Sequence, residues 1–115
     1  MLQSIFNKID QAYEDMVQVR RYLHERPELS FKEYETAEYI ANYYRQLAIP
    51  VETKVGGNGV IAKVEGKLPG KTVAFRADFD ALPIQDEKDV PYNSKVPGVM
   101  HACGHDAHTA SLLVL

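Results

Sequence analysis

The stretch "YETAEYIANYYRQLAIPVETKVGGNGVIAKVE", Tyr34 to Glu65, changes its hydrophobic period at Pro50. Before the proline, Ala37, Ile40, Ala41, Tyr44 and Leu47 recur at steps of three and four, which puts them on one face of a helix. Pro50 has no backbone N–H to continue that helix and stops it. Beyond it, "VETKV" and "GVIAKVE" are short β-branched runs separated by "GGN", the pattern of a hairpin or tight connection. A helix passing directly into strands predicts an α/β fold.

Upstream, Ile5, Ile9, Ala12, Met16, Val19 and Leu23 keep helical spacing, so the first 24 residues read as one amphipathic helix ending before Pro27. The polar, turn-rich "HERPELSF" joins the two helices. Downstream, "KLPGK" punctuates the chain before a third expected strand, "TVAFRAD". "ALPIQDEKDVPYNSKVPG" holds Pro83, Pro91 and Pro97 without a sustained period, and reads as a long loop of the kind that is usually functional. The final run, "DAHTASLLVL", is helix-like but reaches Leu115 with no glycine and no basic last turn, as if cut inside an element.

The composition is that of one soluble globular domain: 115 residues, 45% hydrophobic and 25% charged. The net charge of -3 is spread along the chain with no block of like sign, which argues against a nucleic-acid partner. Lys8, Asp10, Glu14 and Asp15 interrupt the N-terminal apolar residues, so no secretory core is expected there. No apolar run is long enough to span a bilayer, and neither a membrane partner nor a location other than the cytoplasm is expected. The single cysteine cannot form an internal disulfide, which leaves it a thiol or a metal-bound thiolate.

That cysteine lies in "GVMHACGHDAHTA", Gly98 to Ala110, with three of the four histidines. Asp106 reads as the N-cap of a helix beginning at Ala107, which places Cys103, Gly104 and His105 in the turn before it. Near the positive end of a helix dipole the thiolate is favoured, and Gly104 permits a turn that aims Cys103 and His105 at one point. A fully helical stretch would instead align His101, His105 and His108 on one face. Gly104 and the Asp106 cap favour the turn. Thiolate with imidazole suits zinc or a similar borderline cation. Taken singly, His101 and His108 read more readily as ordinary hydrogen-bonded histidines. Two rival readings use the same cysteine: a non-catalytic α/β module with Cys103 simply packed, and a hydrolase with Cys103 as nucleophile and a histidine base.

A second motif, "RADFDALP", closes the expected third strand. Asp78 and Asp80 are two residues apart, so an extended strand sets them on one face near its C-terminal end, where open α/β sheets hold ligands. Neighbours Ala77, Phe79, Ala81 and Leu82 make this a costly place for unpaired carboxylates. A carboxylate beside a ligating histidine commonly fixes its tautomer.

Together, "RRYLHERPELSFKEYETAEYI", "RADFDALPIQDE" and "PYNSKVPGVMHACGHDAHTA" resemble the zinc-dependent aminoacylase/carboxypeptidase family of metallopeptidases, in its amidohydrolase branch of hippurate hydrolase-like and auxin-conjugate hydrolase-like enzymes. The resemblance runs through nearly the whole chain. It implies the N-terminal part of a zinc-exopeptidase-type catalytic domain: two helices, then strands of a mixed sheet, then a truncated helix. It implies Cys103 and His105 as metal ligands, Asp80 as the catalytic-site aspartate supporting the metal centre, and two divalent ions, zinc or manganese. Where other branches carry His-x-Asp, this chain has Asp78-x-Asp80, so one imidazole ligand is missing there and His105 would supply its replacement. The implied reaction is hydrolysis of the amide bond of N-acyl amino acids or small peptide-like amides, in a homodimer built through a separate dimerisation domain. The family's general-base glutamate and remaining ligands would follow Leu115, so residues 1–115 alone are expected to be inactive.

Overall fold

The structure, a computed structural model, describes all 115 residues. It holds three helices and one two-stranded sheet, in the order α1 (Leu2–Glu25), α2 (Tyr34–Gln46), β1 (Val51–Val55), β2 (Gly59–Ala62) and α3 (His105–Val114). The class is α/β, as the change of period at Pro50 predicts.

Helix α1 ends where expected, one residue before the Arg26-Pro27 step. Only its C-terminal half joins the core. Val19 and Leu23 are buried with Ile40 of α2 and with Ala110 and Leu113 of α3, and Met16, Tyr39, Tyr43, Tyr44, Val60 and Phe79 pack around them. The N-terminal half projects: Ile5, Phe6, Ile9 and Tyr13 are about half exposed, so helical spacing there marks an apolar stripe that this chain leaves uncovered. The radius of gyration, 15.3 Å, exceeds the roughly 13 Å of a compact domain of this length.

Helix α2 is started by a residue outside it. Glu28 Oε1 accepts from the N–H and the hydroxyl of Thr36, both at 2.6 Å, and Oε2 accepts from the Glu35 N–H at 3.2 Å. One carboxylate thus satisfies first-turn donors that would otherwise be orphaned. Asn58 donates to Glu33 Oε2 at 3.0 Å, tying the hairpin turn to the same end.

The hairpin is antiparallel, with Val51 opposite Ala62 and Glu52 opposite Ile61, and its register shifts between Glu52 and Val55. Lys54, at φ 58, takes the left-handed conformation at that irregularity. Gly59, paired with Val55, has no freedom to be anything larger, because a Cβ there would collide with the Val55 carbonyl oxygen.

The third expected strand is absent as a strand. Residues 72–78 are in no ladder, and Val73 and Phe75 are about 70% exposed. A strand is defined by the backbone partner that takes its N–H and C=O groups, and no strand of this chain pairs with residues 72–78. Pairing resumes just after them. Leu29 makes a parallel bridge to Ala81, with the Ala81 N–H on the Glu28 carbonyl at 2.8 Å, and Leu82 makes an antiparallel bridge to Met100. The 82–100 loop is thereby closed at its base, and its Lys95 N–H reaches the Glu25 carbonyl at the end of α1 at 2.9 Å.

Candidate metal centre

The Leu82–Met100 bridge sets residues 80–82 against residues 100–105, and the chemistry gathers there. His105 is the first residue of α3. Its Nδ1–H donates to Asp80 Oδ1 at 2.7 Å, with the Asp80 carbonyl oxygen at 3.2 Å. A carboxylate only accepts, so in the neutral ring the proton is assigned to Nδ1 and Nε2 keeps its lone pair. Both side chains are about 27% exposed, open enough for Nε2 to meet an ion or a substrate.

The start of α3 differs from the expected one. Gly104, at φ 90, occupies the cap position, no side chain caps the helix, and Ala107 is its third residue rather than its first. His105 therefore belongs to the helix instead of the preceding turn. Asp106 is not a cap because its carboxylate is engaged elsewhere: Oδ2 accepts from His24 Nδ1 at 2.6 Å and lies 2.9 Å from Arg20 Nε. Two cationic or ring donors on α1 outcompete the local backbone N–H groups for a buried carboxylate.

Cys103 is exposed and unpaired, which contradicts the reading of a simply packed cysteine. Asp78 is also exposed, with Oδ1 on Arg76 Nε at 2.9 Å, and its carbonyl accepts from the Thr109 hydroxyl at 3.0 Å. Arg76, Ala77, Asp78, His105 and His108 line an open depression of about 290 Å3. His108 is exposed, with its ring 6.1 Å from that of His105. His101 is the contrary case. It is buried with both ring nitrogens unpartnered, and burial pushes its pKa down.

No three His, Cys, Asp or Glu side chains of the chain converge so as to hold an ion. By side-chain type, the exposed Cys103 thiol and the carboxylate-bonded His105 ring suit a borderline cation, two donors where tetrahedral zinc takes four.

Sequence reasoning missed a buried polar cluster behind this site. His24 is 1% exposed, and its Nε2 lies 3.4 Å from Asp86 Oδ2, within ion-pair range but not aligned as a hydrogen bond. Asp86 Oδ1 accepts from Lys88 Nζ at 2.7 Å and the Lys88 N–H at 3.0 Å, and Oδ2 accepts from the Ser94 N–H at 2.9 Å. Burial alone would raise the Asp86 pKa, but these bonds outweigh it and hold the carboxyl well below the usual range. The only available signal was the charge-rich "RRYLHE" at the end of a helix.

Comparison with known proteins shows what the chain as a whole is similar to. Residues 74–115 match the model of peptidase family M20/M25/M40. The chain is 64% identical to YhaA of Bacillus subtilis (strain 168), an amidohydrolase by assignment, over 99% of this chain and 29% of that protein. It is 46% identical to an N-acyl-L-amino acid amidohydrolase of Geobacillus stearothermophilus, over 91% of this chain and 28% of that protein. The fold superposes on the crystal structure of Bacillus subtilis YxeP, described as a dinuclear metal-binding peptidase of the M20 family, with a TM-score of 0.83, at 45% identity over 90% of this chain and 29% of that one. The chain thus spans under a third of the length of these relatives. No helix is long and apolar enough to cross a membrane.

Proposed function

We propose that this chain is the N-terminal part of a metal-dependent amidohydrolase of peptidase family M20/M25/M40, a reading supported by the match of residues 74–115 to that family's model and by the 64% identity to YhaA. Its substrates are N-acyl amino acids or small peptide-like amides, cleaved to an amino acid and a carboxylic acid. The name of the Geobacillus relative supports that class.

Cys103 and His105 are the metal donors of this segment, and Asp80 is the carboxylate that orients His105. The observation that carries the proposal is the 2.7 Å bond from His105 Nδ1 to Asp80 Oδ1. Held this way, the ring presents Nε2 with its lone pair outward and cannot rotate to offer Nδ1 instead. Two divalent ions, zinc or manganese, are the cofactors proposed, in keeping with the dinuclear YxeP neighbour. When bound, such ions polarise an amide carbonyl and make water nucleophilic at neutral pH. Arg76, at the rim of the adjoining depression, is placed to meet a substrate carboxylate.

The reading includes a cytoplasmic location, where a lone exposed thiol stays reduced, and a homodimer as the working assembly. The test is hydrolysis of hippurate and N-acetyl amino acids by the full-length protein, before and after chelation. Turnover that is lost with the ions and returns with Mn2+ or Zn2+ is expected; undiminished turnover in fully metal-free protein overturns the mechanism.

A further inference from the structure

The first turn of α3 carries His105, whose ring is bonded to Asp80, yet no side chain caps the helix terminus itself. The cap residue is glycine, at φ 90, and no side chain bonds the free N–H groups. The restraint comes instead from one residue further on, where Asp106 is fully buried and tied to α1 through His24 Nδ1 at 2.6 Å and Arg20 Nε at 2.9 Å.

On its far side the His24 ring faces the 86–94 loop. Asp86, with its three hydrogen bonds, stands 3.4 Å from Nε2, and Tyr92 meets the ring edge-on with centroids 6.3 Å apart. The His24 Nδ1 bond thus connects a loop and a helix end to the residue next to His105. Buried charged clusters of this kind return little net stability, because desolvation offsets most of the attraction. What they do impose is a single geometry.

We propose that His24 is a positioning residue for the metal centre: through its Nδ1 bond to Asp106 it sets the attitude of the first turn of α3, and with it the aim of His105 Nε2. The inference rests on the metal-dependent reading above.

The test compares His24→Asn with His24→Gln in the full-length protein. The Asn amide nitrogen is attached to Cγ, as Nδ1 is, and can still donate to Asp106; the Gln nitrogen lies one atom further out, at the level of Nε2. His24→Gln is expected to bind Mn2+ about tenfold more weakly, at the lower end of the effect of outer-shell partners, and His24→Asn within about threefold of wild type. Crystal structures should show the His105 ring drawn away from Asp80 only in His24→Gln. Wild-type affinity in both variants overturns the proposal, as does equal weakening in both that follows their loss of thermal stability. Should His24→Gln not fold, Asp106→Asn replaces it, and unchanged Mn2+ affinity there overturns the proposal. Wild-type protein that takes up neither Mn2+ nor Zn2+ refutes the metal reading instead; the crystal structures then decide alone, and an unmoved His105 ring in His24→Gln overturns the positioning role.

Discussion

Asp80 and His105 stand 25 residues apart in sequence and share a 2.7 Å hydrogen bond that decides which ring nitrogen is taken up and which is left for another partner. Replacing Asp80 with alanine removes that choice. Metal affinity of the full-length protein, read by titration calorimetry with Mn2+, should fall by about 10- to 100-fold, while the melting temperature changes little because both side chains are part-exposed. Unchanged affinity would show that Asp80 does not orient a ligand.

Cys103 is exposed and has no partner within the chain. Its conversion to serine replaces a soft donor with a weak hard one, so bound metal measured by elemental analysis should drop in a folded variant. In the wild type, bound Zn2+ should slow alkylation of the thiol. Inactivation by alkylation at a rate that metal does not alter would instead identify Cys103 as a nucleophile.

Asp86 gives the fold a defined acid response. Its pKa is held down in the folded state, so its contribution is complete above the ordinary aspartate value, about 4, and is lost as pH falls towards the lower folded value. Asp86→Asn should cost about 1 to 3 kcal/mol at pH 7, since the neutral amide accepts more weakly from Lys88 and Ser94. Urea melts at pH 7, 5, 4 and 3 should show that difference constant down to about pH 5 and shrinking below pH 4. A difference independent of pH would mean that the carboxylate charge is not what stabilises.

Leu23 is 2% exposed at the junction of α1, α2 and α3. Leu23→Ala should destabilise by about 2 to 5 kcal/mol, the transfer term plus an unfilled cavity. Ile9→Ala, with the same helical spacing but half exposed, should stay within about 0.5 kcal/mol by the same denaturation measurement.

Residues 1–115 produced alone should show no amidase turnover, because two metal donors cannot complete a site that needs at least four. They should also self-associate, since Leu2, Ile5, Phe6 and Ile9 form an exposed stripe and Val73 and Phe75 are exposed on a segment that belongs to no ladder. Light scattering that reports a monomer at every concentration would refute the second expectation.

The helices, the hairpin and the cysteine-histidine cluster were legible in the sequence because each is written within a few residues. Periodicity in α1 and α2, the glycines of the hairpin and the composition of "MHACGHDAHTA" need no distant partner to be read. "TVAFRAD" has the residues of a strand, but strand formation depends on a neighbour, and sequence pattern cannot say whether one is there. Asp106 has the local signature of a cap, and it lost that role to Arg20 and to His24, 82 residues away, because burial made a charged partner worth more than the free N–H groups beside it. Glu28 caps α2 from eight residues upstream for a similar reason: the loop path, not the local code, brought it there. Side-chain type alone marks Cys103 and His105 as able to act as ligands, whereas which nitrogen of His105 is taken up by a carboxylate was decided only when packing brought Asp80, 25 residues away, against the ring.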